Sequence, residues 1–318
     1  IQQVLVLGMD KLASTAISCT GCRDLVLAGG VALNSVNNGK LANNEQINDL
    51  WIQPAAHDAG GALGAAWAVW HIHLGKERRP KRPDKMNFAY LGPSFNKDQV
   101  AVLAKSHTDL DFSVVQDEDE LLSITAEAIA RGRIVGWFQG RMEFGPRSLG
   151  NRSILADPRN PKMQIRINGK IKYRESFRPF APSVMEEECH KYFECEGRFP
   201  YMLQVQKVKS NRLQFIKNHE MGLMDRLSQI RSDIPSVTHV DFSARIQTVS
   251  KTSNPLFWRL LQKFKKTTGY GLLINTSFNR KDEPIVCTPS EALHCFKLTE
   301  MDLLVIGNTI FKKGPKAS

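Results

Sequence analysis

The sequence predicts a mixed α/β protein, and three observations carry that prediction. Short apolar runs recur at 25–28, 134–138, 272–275 and 303–306, the length and composition of buried strands. Leu256, Phe257, Leu260, Leu261 and Phe264 repeat at helical spacing after Pro255, which makes one apolar helix face. Strand and helix patterns alternate along the chain with glycine turns between them, the order of an α/β fold.

Taken in order, residues 25–28 read as a strand ending at Gly29-Gly30, followed by a helix over 34–42 and a strand over 49–53. The small residues after Asp58 suit a loop leading into a tightly packed helix. Residues 75–87, GKERRPKRPDKMN, are charged, proline-containing and aperiodic, so they read as a linker. A second domain is expected from Leu91, with helices over 98–105 and 118–130, the latter capped by Asp117. Strands follow at 112–115 and 134–138, then a short helix at 186–193 and a strand at 201–208. Residues 209–236 are polar, with a helical pattern at 219–230, and read as a solvated loop. A strand lies within 236–249, and Pro255 suits the first turn of the amphipathic helix. The strand 272–275 runs into Thr276-Ser277-Phe278-Asn279. Ser290 is the expected cap of a helix to about 298, and 303–306 is the closing strand.

The length of 318 residues suits about two domains. The 43 Lys/Arg against 32 Asp/Glu give a net charge of +11, which favours nucleotides, phosphates or nucleic acid as partners without choosing among them. No apolar run approaches the roughly 20 residues of a membrane span. Six cysteines form no disulfide-like framework, so a reducing cytoplasm is the default. Cys19-Thr-Gly-Cys22 is one CxxC without a second pair, and reads as packing thiols. There is no G-x-S-x-G elbow, no P-loop signature and no H-x-x-x-H.

The stretch 140–183 holds ten Lys/Arg against three Asp/Glu, set among glycines and prolines. Fixed guanidiniums beside open backbone suit phosphate oxygens. Composition alone leaves a phosphate site and a solvated basic face both open. The same holds for Gly29-Gly30, which fits an anion at a helix start or a plain tight turn.

The wording of these blocks resembles one family. GRMEFGPRSLGNRSILADPR and KIKYRESFRPFAPSV, then HVDFSARIQTV at 239–249 and LLINTSFNRKDEPIVCTPSEAL at 272–293, look like the C-terminal domain of the O-carbamoyltransferases of antibiotic and nodulation-factor biosynthesis. LAGGVALNSVNNGKL at 27–41 and HDAGGALGAA at 57–66 resemble the second half of their N-terminal domain. The resemblance implies the later part of an actin-like domain at 1–74, a linker at 75–90 and a YrdC-like domain at 91–318. It implies that the second domain makes carbamoyl adenylate from carbamoyl phosphate and ATP. The first would pass the carbamoyl group to a hydroxyl of a small-molecule or oligosaccharide acceptor.

Matched residue by residue, the resemblance implies that Arg147 and Arg178 clamp phosphate oxygens and that Lys172 offsets charge on the pentavalent phosphorus. Arg245 would hold the carbamoyl phosphate or the leaving phosphate, and Ser277 and Asn279 would donate hydrogen bonds to carbamoyl or phosphate oxygens. Gly29, Gly30 and Asn34 would lie near nucleotide, and Asp58 would bind a metal such as iron, with Mg²⁺ accompanying ATP. Arg152 and Arg174 read better as surface ion-pair residues. The family's H-x-x-x-H pair is absent. The expectation is therefore a chain lacking the first half of the actin-like domain, with an incomplete metal site and exposed apolar surface open to self-association. A nucleic-acid-binding alternative rests on the charge and on a related fold pair in tRNA threonylcarbamoylation. The aromatic content of 8% and the scattered cations weigh against it.

Overall fold

The computed structural model describes residues 1–81, 84–107, 109–214 and 229–314. The fold is mixed α/β. Strands β1 (Asp24–Leu27) and β2 (Asp49–Ile52) pair in parallel as a small sheet. An eight-stranded mixed sheet follows. In chain order it takes β3 (Leu110–Val114), β4 (Val135–Phe138), β5 (Arg152–Ala156) and β6 (Ala181–Met185). A three-stranded antiparallel sheet holds β7 (Phe193–Glu194), β8 (Val205–Val208) and β9 (Ser243–Arg245). The large sheet resumes with β10 (Gln247–Val249), β11 (Leu272–Ser277), β12 (Leu303–Ile306) and β13 (Thr309–Lys313). Its strand order is β10-β6-β11-β5-β4-β12-β13-β3.

Strands β4, β5, β6 and β12 are buried along their whole length, and their side chains alternate between two cores. Ile154, Ala156, Ile274, Leu304 and Ile306 face one core; Val135, Trp137, Leu155, Leu273, Leu303 and Val305 face the other. Helices Glu118–Ala130 and Pro255–Thr268 cover the second face through Leu122, Ile129, Phe257, Leu261 and Phe264. Helices Lys97–Ser106, Met163–Ile167 and Pro289–Lys297 cover the first through Val100, Met163, Ile167, Leu293 and Phe296.

Asp117 caps its helix by accepting from Asp119 N at 3.0 Å. The last helix begins earlier than expected. Thr288, not Ser290, is its cap, in a capping box with Glu291 and with Pro289 as first residue. Thr288 is extended, so its hydroxyl can turn back to the Glu291 N–H. The strand expected over 201–208 is confined to β8. Helix Gln2–Thr20 was not anticipated; only its Ala13 is buried, so it lacks the one-sided apolar pattern that would reveal it. Cys19 and Cys22 are exposed rather than packed. The helical pattern at 219–228 lies outside the described residues.

Residues 24–56 pack onto the large unit through a third core. Ala32, Ile52 and Ala56 meet Met86, Ala89, Leu149, Ala181 and Leu203 there. Asn38 Nδ2 donates to Leu203 O at 2.9 Å, and a Cβ at Gly39 would lie 2.7 Å from Val205 O, so helix Ser35–Ala42 rests directly on β8. Asp84, in the 75–90 stretch, accepts from Tyr201 Oη at 2.8 Å, and Met86 and Ala89 are buried. Val4, Leu7, Val26, Trp70 and Ile72 are exposed.

Gly150 tests how tightly the loop before β5 is built. Its φ is +106°, and a Cβ there would meet the Phe257 ring at 2.3 Å. Gly150→Ala should lower unfolding stability by about 2–4 kcal/mol. Urea denaturation checks this, and an unchanged midpoint would contradict the packing described.

Candidate active site

A cleft of about 350 Å³ opens at the end of the large sheet where β4 and β11 finish and β5 and β6 begin. Four guanidiniums line it: Arg147, Arg174, Arg178 and Arg245. Ser277 and His239 line it too, and no Asp or Glu is among its lining residues. Three of the arginines come from loops and one from the end of β9. The sheet register, Ser277 opposite Ser153 and Asn275 opposite Ala181, brings them to one place.

Arg147 stands on the loop between β4 and β5, which is tied down by a buried carboxylate. Glu143 Oε1 accepts the backbone N–H groups of Leu149 at 2.7 Å, Asn151 at 2.8 Å and Arg152 at 3.2 Å. Burial raises the Glu143 pKa, and these bonds oppose it. Arg152 is wholly buried and is not a surface residue. Its guanidinium lies 3.6 Å from the Phe138 ring centroid and donates to Gln139 O at 2.6 Å. Arg147 Nη2 donates to Leu33 O at 2.9 Å, while its Nε is buried without a partner. Burial pushes the Arg147 pKa down.

Arg245 is the most strained electrostatically. Burial, then Arg147 and Arg174, push its pKa down to about 9, and its Nε also lacks a partner. Arg174 lines the cleft instead of forming the surface ion pair expected of it. Its Nε donates to Asn168 Oδ1 at 2.7 Å, and burial and Arg178 lower its pKa. Arg178 is exposed and pairs with Glu175 at 3.1 Å.

Lys172 and Asn279 do not line the cleft. The buried Lys172 ammonium sits behind the turn after β11. It donates to Ser277 O, to Ser277 Oγ at 3.1 Å, to Asn279 O at 3.0 Å and to Asn279 Oδ1 at 2.6 Å. Ser277 Oγ in turn donates to Asn279 Oδ1 at 2.7 Å. Lys172 therefore fixes the residues that present Ser277. Burial, then Arg174, push its pKa down to about 7.

Ser35 lines the cleft, whereas Gly29, Gly30 and Asn34 do not. Asn34 caps the helix Ser35–Ala42, accepting from Asn37 N at 3.0 Å. Asp58 is exposed at the start of helix Ala59–Ala68. Among the described residues no three His, Cys, Asp or Glu side chains gather as a metal site. Asp58 offers one ligand, and the described residues do not by themselves fit the transfer-site metal. His239 and Asn275 were missed in the sequence. Both sit inside blocks that carry the resemblance, but nothing in their spacing marks them as facing a ligand.

The family profile described as Carbamoyltransferase C-terminus matches residues 126–313, and the profile described as Carbamoyltransferase N-terminus matches residues 2–67. The chain is 48% identical to the uncharacterized protein sll1178 of Synechocystis, over 95% of this chain and 50% of that protein. It is 42% identical to nodulation protein NolO of Bradyrhizobium diazoefficiens, over 93% and 50% of the two chains. It is 32% identical to the 3'-hydroxymethylcephem-O-carbamoyltransferase of Streptomyces clavuligerus, over 91% and 49%. The chain thus spans about half the length of the curated relatives it matches. Full-length HypF in its phosphate- and nucleotide-bound form superposes with a TM-score of 0.38 at 15% identity, over 60% of this chain and 25% of that one, too loosely to carry an argument. With both profiles matched in order, and the C-terminus profile covering more than half of this chain, the chain belongs to the carbamoyltransferase family.

Proposed function

We propose that the arginine cleft binds carbamoyl phosphate and ATP and joins them as carbamoyl adenylate, the first half of an O-carbamoyl transfer. The observation that carries this reading is the set of four guanidiniums with no carboxylate lining the cleft. Such a site has little covalent chemistry to offer, and works by positioning and by stabilising developing negative charge. Water splits carbamoyl phosphate into carbamate and phosphate. A carbamate oxygen then attacks the ATP α-phosphorus, the Pα–O bond to the β-phosphate breaks, and pyrophosphate leaves. Arg147, Arg174 and Arg245 hold phosphoryl oxygens, while Ser277, whose hydroxyl proton goes to Asn279 Oδ1, forms the wall beside them on the turn that Lys172 fixes. Mg²⁺ accompanies ATP. In the complete enzyme a hydroxyl of a small molecule or oligosaccharide then attacks the carbamoyl carbon and AMP leaves.

Carbamoyl-phosphate-dependent exchange of labelled pyrophosphate into ATP tests the first half in this chain. Exchange is expected in the wild type and should fall at least 100-fold in Lys172→Ala, the loss typical of a site whose charge-stabilising donors are displaced. Absence of exchange in a wild type that still binds nucleotide by calorimetry would reject the reading.

The pH dependence follows from Lys172. The four oxygens around Nζ suit its protonated form, and that form is lost as pH rises through about 7. Exchange should therefore decline on the alkaline side, and Lys172→Gln should abolish that limb. A rate that holds flat to pH 9 in the wild type would contradict the role given to the ammonium.

Anion binding also relieves the crowding around Arg245. Inorganic phosphate at 100 times its Kd should stabilise the fold by about 2.7 kcal/mol. Arg245→Gln should remove most of that gain in a thermal melt. An equal gain in both proteins would place the anion elsewhere.

A further inference from the structure

One group in the cleft does not serve a bare phosphate. His239 lines the cleft, and its Nδ1 lies 3.1 Å from Ser243 Oγ. Ser243 Oγ donates its proton to Asp241 Oδ1 at 2.6 Å, so toward the imidazole it can only accept. Nδ1 is thus the protonated ring nitrogen. Nε2 is left as a bare acceptor that no described residue bonds. Burial keeps the ring neutral, pushing its pKa down to about 4.

Asn275 stands in the same wall but is closed to a ligand. Its Nδ2 donates to Ser148 O at 3.1 Å, to Ser183 Oγ at 2.9 Å and to Gln247 Oε1 at 3.0 Å, and its Oδ1 is buried. The charged groups of the wall are guanidiniums, which only donate, and its hydroxyls belong to Ser35, Ser148, Thr276 and Ser277. A bare acceptor inside such a cleft repels phosphate oxygens. It suits a ligand that carries N–H groups beside its anionic end.

We propose that His239 Nε2 accepts an amide N–H of the carbamoyl moiety, and so makes the cleft select carbamoyl phosphate over other acyl phosphates of the same shape. The proposal rests on the reading of the cleft as an acyl-phosphate site. Acetyl phosphate is the matched probe, since a methyl group replaces the amide at nearly equal size and charge. It leaves the His239 acceptor unpaired, and a site built to hydrogen-bond its substrate rejects an analogue that lacks the donor.

The test is calorimetric titration of the full chain with carbamoyl phosphate, acetyl phosphate and inorganic phosphate. The wild type should bind carbamoyl phosphate about 10–100-fold more tightly than acetyl phosphate. In His239→Phe that ratio should collapse toward one, with inorganic phosphate affinity kept. Ser243→Ala is the second variant, because Ser243 holds the imidazole from outside the cleft lining. It releases the tautomer and should lower the ratio in part. Equal wild-type binding of the two acyl phosphates would overturn the proposal, as would a proportional loss for all three ligands in His239→Phe. In both cases the anion site itself would stand. A wild type that binds none of the three would bring down the acyl-phosphate reading and the proposal with it.

Discussion

Four guanidiniums share one cleft, and their mutual repulsion has to be held by the rest of the fold. The cost is visible in Arg245, whose pKa is driven down to about 9 by burial and by its cationic neighbours. Nothing among the lining residues neutralises that charge. The fold must therefore be rigid on every side of the cleft. An incoming anion then finds donors that need no rearrangement, which is the condition under which electrostatic stabilisation is strongest.

That rigidity has identifiable sources. One carboxylate, Glu143, collects three backbone N–H groups of the loop that carries Arg147. Arg152 completes the same loop from beneath. Its fork reaches the carbonyls of Gln139 and Pro93, and its face lies on Phe138. Burying both charges is costly, and they offset one another in part, since Glu143 opposes the fall in the Arg152 pKa that burial causes. On the other side Lys172 fixes Ser277 and Asn279. Two buried cations, Arg152 and Lys172, thus hold loops, while Arg147, Arg174, Arg178 and Arg245 line the cleft.

This division explains what was legible in the sequence. Strands β4, β11 and β12 and the helix Pro255–Thr268 follow from local period, because their apolar residues serve cores on fixed faces. The mixed α/β class follows from them. The composition of the basic stretch leaves a phosphate site and a solvated basic face both open, and Arg147, Arg178, Arg245 and Ser277 meet at one cleft. Composition could not say which cation faces the ligand and which faces a carbonyl. Arg152 and Arg174 were both read as surface residues, yet one is enclosed by carbonyls and the other lines the cleft. His239 and Asn275 were invisible for a related reason. The His239 tautomer is set by the hydroxyl of Ser243, four residues on, and the Asn275 amide by Ser183 and Gln247 from strands distant in sequence, and neither effect has a local pattern.

The cleft also depends on residues far from the basic stretch. Arg147 Nη2 is aimed by the carbonyl of Leu33, and Ser35, at the start of a capped helix, forms part of the wall. That helix is seated by Asn38 on Leu203 and by the close approach of Gly39 to Val205. Strand β8 in turn pairs with β9, which ends in Arg245. Residues 30–42 are therefore tied to two of the four guanidiniums, through a direct hydrogen bond and through a strand pair. The small first unit is thus built into the wall of the arginine cleft.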